Sequence, residues 1–241
     1  MIKAFANPHR FMAFSQRVQP WLYGGAAALI AYSVWQAFYV VSPERFQGDS
    51  ARIMFIHVPA AWLGMAGYAG MAAASFVWFI WRHELADTAA KALAPVGAAY
   101  CAICLYSGAI WGKPTWGTWW QWDDARMVSM LVLLFLYLGY MAVRAAMDTR
   151  QKAAQAGAIL AMVGVINVPI IKFSVDIWAS LHQPASVVRF DGPTMDASYL
   201  YPLLIAALGH TLLLTGLVFT AMRTDIMTRR ARALLLRQAA A

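Results

Sequence analysis

The stretch Trp111-Gly112-Lys113-Pro114-Thr115-Trp116-Gly117-Thr118-Trp119-Trp120-Gln121-Trp122-Asp123 carries five of the chain's eleven tryptophans and lies between two long apolar segments. Trp is favoured at the headgroup level of a bilayer, where an amphipathic ring is comfortable on both sides, and such belts use one or two per helix end. Four indoles between Trp116 and Trp122 exceed that need. They predict an aromatic platform at a membrane surface, and a large flat π-ligand is the natural thing to lay against it.

The apolar flanks set the class. The 241 residues are 61% hydrophobic and only 12% charged, with a mean hydropathy of +0.55, whereas a soluble globular chain typically carries about 25% charged residues. A bilayer crossing needs about 20 mainly apolar residues. Six runs meet or approach that length: 21–41, 59–81, 92–111, 127–143, 153–171 and 199–222. The expected fold is an all-α membrane protein of six transmembrane helices. Residues 1–241 read as a single polytopic domain with external loops at about 42–58, 112–126 and 172–198, and no internal repeat or composition break marks a second domain. The first apolar run is long enough to span and lacks a small-residue cleavage site, so it is expected to stay as a helix rather than leave as a signal peptide.

Orientation follows from the flanking cations. One side holds Lys3, Arg10, Arg17, Arg82, Lys91, Arg144, Arg150, Lys152, Arg223, Arg229, Arg230, Arg232 and Arg237; the other holds Arg45, Arg52, Lys113, Arg126, Lys172 and Arg189. By the positive-inside rule both termini are cytoplasmic and the Trp-rich motif is external. The acids run the other way, so the net charge of +8 reads as topology and contact with anionic lipid, not as nucleic-acid binding.

Polar chemistry collects outside. His57 follows Arg52-Ile53-Met54-Phe55-Ile56, where Asp49 or Ser50 is placed to cap a short helix and Pro59 suits the first turn of the next. In the third external loop Val175, Trp178 and Leu181 recur at three-residue spacing, as on an interfacial helix that would set Trp178 and His182 on one face. Two imidazoles at comparable depth, one on each side of the Trp segment in sequence, suit an iron held between histidines in aromatic surroundings. Arg52 and Arg126 are placed to supply forked cations for carboxylates. The alternative from spacing alone is two interfacial histidines beside an aromatic belt.

Arg52 to Trp62, Trp111 to Asp123, Val165 to Ile171 and Leu181-His182-Gln183 together resemble the cytochrome c maturation protein C family, also called haem exporter protein C. The centre of the likeness is the family pattern WGxxWxWD, met by Trp116, Gly117, Trp120, Trp122 and Asp123, with Trp119 inside it. The resemblance implies that the Trp-rich loop contacts haem b, held non-covalently, with His57 and His182 as axial ligands. It also implies the bacterial inner membrane with the haem site on the periplasmic side. The partners it implies are a membrane-anchored haem chaperone (maturation protein E), ABC-type maturation subunits A and B, and a small single-span protein, maturation protein D. Where the family motif runs Trp-Asp-Ala-Arg, this chain reads Trp122-Asp123-Asp124-Ala125-Arg126. The extra acid leaves open which carboxylate takes the family role.

Other features read more plainly. Cys101 and Cys104 form a CxxC, but Leu105 stands where a haem-attachment motif needs His, so they read as small buried thiols at helical spacing. His210 lies mid-span and reads as a neutral, hydrogen-bonded packing residue; His9 and His83 read as solvated. Pro95, Pro169 and Pro202 shape their helices. Small residues crowd the second span, where they allow close helix contact, and the Arg229-Arg230-Ala231-Arg232 run reads as a solvated basic stretch. No recognised catalytic constellation is present. Delivery of haem to a chaperone is the function expected, against two others: a bis-histidine membrane cytochrome, whose ligands would sit on spanning helices, and a haem permease, which would thread more polar groups through the spans.

Overall fold

The computed structural model describes residues 7–178, 180–189 and 191–240; Lys3 and Ala179 lie outside these. Every regular element among them is helical: α1 (Pro8–Tyr39), a 3-10 turn (Asp49–Ile53) that runs into α2 (Met54–Trp81), α3 (Glu84–Trp116), α4 (Ala125–Ala145), α5 (Arg150–Gly164), α6 (Asn167–Ile177) and α7 (Ala197–Ala239). Five stretches are long and apolar enough to cross a bilayer: Asp49–Trp81, Glu84–Trp116, Ala125–Ala145, Arg150–Ile177 and Ala197–Ala239. The expected first span, 21–41, falls in α1 up to Tyr39, and this continuous helix is not one of the five. Its Tyr, Trp, Gly and Gln residues dilute the hydropathy although they cost little at an interface.

Several helices run past their expected ends. α2 begins at Met54 rather than Pro59, directly from the 3-10 turn, so Pro59 sits inside the helix; that turn has Gly48 at its N-cap and no side-chain cap from Asp49 or Ser50. α3 extends through Gly112 and Pro114 to Trp116, with the Thr115 hydroxyl donating to the Trp111 carbonyl at 2.8 Å. A lone proline near a helix end costs little when neighbouring groups satisfy the local carbonyls. The expected fifth span is split. Pro169 has no N–H to offer the Val165 carbonyl four residues back, and the chain turns there, with the Val168 N–H donating to Val165 instead at 3.0 Å. The Asn167 amide secures the new helix by donating to the Ser129 carbonyl at 2.8 Å.

Packing is by small residues and hydroxyls. The core at the junction of α2, α3, α4 and α5 holds Tyr68, Met71, Cys101, Leu133, Tyr137 and Ala161, all fully buried. The Tyr137 hydroxyl donates to the Gly64 carbonyl at 2.8 Å, and Tyr68 meets the Tyr137 ring edge-on at 4.9 Å between centroids. α1 lies mainly along α7, where Ser33 donates to the Pro202 carbonyl at 3.1 Å and Gln19 to the Thr220 hydroxyl at 2.6 Å. Such contacts hold helices together where lipid offers no hydrophobic drive.

At the end of the bundle opposite the Trp motif, buried Asp87 on α3 accepts from Arg144 of α4 at 2.6 Å and from Arg150 of α5 at 3.3 Å. Around it, Asp225 on α7 pairs with Lys91 at 2.7 Å and with Arg229 at 3.1 Å. This network ties four helices at their polar ends. Cys101 and Cys104 are free and buried, and the Tyr100 hydroxyl donates to the His210 carbonyl at 3.1 Å and lies 3.4 Å from its Nδ1.

Candidate ligand-binding cavity

The helix ends at the Trp motif enclose a cavity of about 700 Å³, within the range of roughly 300–1,000 Å³ usual for small-molecule and cofactor sites. Its lining is mostly apolar, with Met54, Met65, Leu105 and Met130 among it, and His57, Trp111, Trp116, Trp120, Arg126 and His182 converge on the same space. These residues come from α2, α3, α4 and the two loops that follow α3 and α6.

His57 stands on the first turn of α2. Its Nδ1 lies 3.0 Å from the Cys104 carbonyl and 3.2 Å from the Ser107 hydroxyl. A carbonyl only accepts, so Nδ1 carries the proton and Nε2 keeps its lone pair. The ring fits against Gly108 of α3, where a Cβ would come within 2.9 Å of Cε1, and Trp111 meets it edge-on at 5.6 Å. Trp111 is itself fixed by its indole N–H donating to the Gln47 side chain at 2.9 Å.

His182 reaches the cavity from a loop rather than a helix. α6 ends at Ile177 and Trp178 is extended, so the expected shared helix face of Trp178 and His182 does not form. What holds His182 is Asp124. One carboxylate oxygen caps α4 by accepting the Met127 N–H at 2.9 Å; the other accepts the Ser180 hydroxyl at 2.7 Å, the Leu181 N–H at 2.9 Å and His182 Nδ1 at 3.3 Å. Asp124 is only 2% exposed. Burial alone would raise its pKa, but the bonds from His182, Met127, Ser180 and Leu181 prevail and hold the carboxyl well below its ordinary range. The bond to a carboxylate fixes the proton on His182 Nδ1, so both imidazoles are anchored through Nδ1, and neither Nε2 is hydrogen-bonded within the described residues. A hydrogen bond at one ring nitrogen that orients the other toward a metal is a recurrent feature of histidine ligation.

The Trp segment divides. After Trp116, Gly117 closes α3 in the left-handed conformation at φ 80°, its N–H donating to the Lys113 carbonyl at 3.1 Å. Trp116 meets the His182 ring at 4.9 Å, and Trp120 also lines the cavity, with its indole N–H buried and unpaired. Trp119 and Trp122 do not line it; they are 56% and 75% exposed, and Trp122 lies edge-on to Trp120 at 5.4 Å. Asp123 is exposed and bonds to no described residue.

The two arginines differ as well. Arg126 lines the cavity and has a buried Nε without a partner. Arg52 does not line it. Its guanidinium donates to the Phe38 and Val41 carbonyls at 2.9 and 3.4 Å and pairs with Asp49 at 3.0 Å, so it closes the C-terminal end of α1, where carbonyls lack helical donors. Nothing in the sequence signals the parts played by Lys172, an outer charge that stands on the cavity wall, by Ser107, or by the main-chain carbonyl of Cys104, whose side chain reads only as a buried thiol; the last two position His57.

The chain matches the family described as Heme exporter protein C over residues 1–237. Relatives of that description include one from Bradyrhizobium diazoefficiens, 50% identical over 235 residues that cover 97% of this chain and 88% of the relative. Another, from Paracoccus denitrificans, is 41% identical over 97% of each. A third, from Escherichia coli, is 40% identical over 88% of this chain and 85% of its own length.

Proposed function

This chain belongs to the heme exporter protein C family, and from that premise we propose that it holds haem at the outer face of the bacterial inner membrane and delivers it to a membrane-anchored haem chaperone. It is a haem-handling, multi-pass membrane protein of cytochrome c maturation. Haem b, bound non-covalently, is its cargo.

The observation that carries this reading is the pair of imidazoles, His57 and His182, each anchored at Nδ1 and each facing one apolar, Trp-lined cavity. Their Nε2 atoms would hold the haem iron. Trp116 and Trp120 offer apolar faces to the macrocycle, and Arg126 takes a propionate. Bound haem supplies a vinyl edge for the chaperone's histidine. Trp119 and Trp122, exposed beside the cavity, form the surface that the chaperone meets, and Asp124 keeps His182 in place while it does so.

Six crossings, with α1 as the sixth, put both termini in the cytoplasm and the cavity outside, in keeping with the excess of Lys and Arg on the terminal side. ABC-type maturation subunits A and B and the single-span maturation protein D complete the assembly. A histidine pair drawn from a helix start and a loop, beside a solvent-exposed indole surface, favours delivery over a cytochrome that keeps its haem.

Absorption spectra of the purified protein, oxidised and reduced, with and without the chaperone, test the reading. His57→Ala and His182→Ala are each expected to lose low-spin bis-histidine character and to load little covalent haem onto the chaperone, while His210→Ala keeps both. An unchanged low-spin spectrum in both cavity variants overturns the axial assignment. Loss of low-spin haem in His210→Ala alone would turn the reading to an intramembrane cytochrome.

A further inference from the structure

Around the cavity, three side chains form no hydrogen bond: the Trp120 indole and the Arg126 guanidinium, whose Nε–H is buried, and the Lys172 ammonium; the charges of Asp124 and Asp176 both act on Arg126. Lys172 stands on α6, which the break before Pro169 restarts against α4. It lines the same cavity as Arg126 and forms no hydrogen bond or ion pair with any described residue. Asp176, one turn further along the same face of α6, lies close enough to Arg126 for their charges to interact, so this face of α6 and the start of α4 are neighbours. The two acids in the cavity lining are engaged elsewhere. Glu44 accepts the backbone N–H groups of Phe46 and Gln47, each at 2.7 Å, and Asp196 accepts from Ser198.

Two cations that line a largely apolar cavity and form no hydrogen bond or close ion pair there are placed to receive a ligand of opposite charge. Arg52, the cation that the sequence offered as Arg126's companion, is committed to the end of α1. We infer that Lys172 is the second carboxylate-binding residue of the site: Arg126 and Lys172 each take one carboxylate of a tetrapyrrole dicarboxylate, and the pair makes the cavity select the free diacid over its esters. The inference rests on the haem-holding reading above and deepens it by assigning the ligand's charged edge.

The test compares haem with haem dimethyl ester, which keeps the ring and the iron but has no free carboxylate, on the purified full-length protein. The wild type is expected to bind haem at least about tenfold more tightly than the ester, the scale of one charge-assisted hydrogen bond. Lys172→Met and Lys172→Gln are each expected to lose about tenfold for haem and nothing for the ester, and Lys172→Arg to restore the preference. Unchanged ester binding shows that the variants are folded. Equal weakening of both ligands, or of neither, overturns the role of Lys172. If the wild type gives no low-spin spectrum with either ligand, the haem-holding reading itself fails; a low-spin wild type whose preference survives in Lys172→Met removes the Lys172 assignment alone.

Discussion

The carboxylate of Asp124 lies 3.3 Å from Nδ1 of His182, and the same side chain caps α4 through the Met127 N–H. One residue therefore starts a helix and orients a ligand that comes from a different loop. Asp123, next to it, is exposed and touches nothing comparable. Asp124→Asn is expected to lower haem affinity or chaperone loading about 10- to 100-fold, the usual effect of losing such a supporting bond to a ligating histidine, whereas Asp123→Asn changes neither by more than about twofold. Titration with haem and measurement of covalent haem on the chaperone distinguish the two; an equal loss in both variants would mean that Asp124 has no special part.

The depressed pKa of Asp124 gives a pH dependence of known sign. A carboxyl held below its unfolded value of about 3.9 contributes stability that is fully present above that value and is lost as pH falls through the lower folded pKa. Hydrogen exchange of the haem-free protein should therefore show the Leu181 amide equally protected from pH 7 down to about 5, after correction for intrinsic rates. Protection should fall only below the ordinary carboxylate range. In Asp124→Asn the amide is expected to be weakly protected throughout, and a midpoint near neutral pH would assign the transition to another group.

The division of the Trp segment predicts two different defects. Trp116→Ala with Trp120→Ala removes the faces that line the cavity and is expected to weaken haem binding by about 100-fold, two half-buried aromatic rings being truncated. Trp119→Ala with Trp122→Ala leaves the cavity lining intact and is expected to keep the low-spin spectrum while chaperone loading drops about tenfold, on the scale of residues at an interface hot spot. Normal loading by the second pair would show the exposed indoles to be interfacial anchors only.

At the far end, Asp87 and Arg144 are 4% and 10% exposed in their side chains. Breaking a buried pair leaves an uncompensated charge and costs about 3–5 kcal/mol, so Asp87→Ala should lower the thermal midpoint in detergent substantially. Arg144→Ala should do the same, and the double variant should be less destabilised than the sum of the two. The haem spectrum at low temperature is expected to be unchanged, because the stretch of α3 from Asp87 to Cys104, about 25 Å of helical rise, separates the network from the cavity wall.

Much of this was legible in the chain. The apolar runs located the helices, and His57, Trp116, Trp120, Arg126 and His182, drawn from separated segments, do share one cavity. What eluded the sequence were local contests settled by particular atoms. Gly112 and Pro114 signal a loop, yet α3 runs through them to Trp116. The spacing of Val175, Trp178 and Leu181 suggests a helix, but the chain leaves helical geometry at Trp178 and the three bonds from residues 180–182 to Asp124 define the loop instead. Arg52 has the right chemistry for a carboxylate, but the open carbonyls at the end of α1 claim it, and spacing does not reveal that competition. Asp87, Arg144 and Arg150 counted only toward topology, since pairing across 57 and 63 residues leaves no local pattern.

An ionised carboxylate offers about four lone-pair positions. Asp124 meets four donors: Met127 N–H, the Ser180 hydroxyl, Leu181 N–H and His182 Nδ1–H. Three of the four meet one oxygen and the helix cap takes the other, and Arg126, only two residues along the chain, forms no hydrogen bond to it. Arg126 therefore feels the charge of this carboxylate without being bonded to it, and an incoming anion can take its guanidinium without any internal hydrogen-bonded pair having to be broken first.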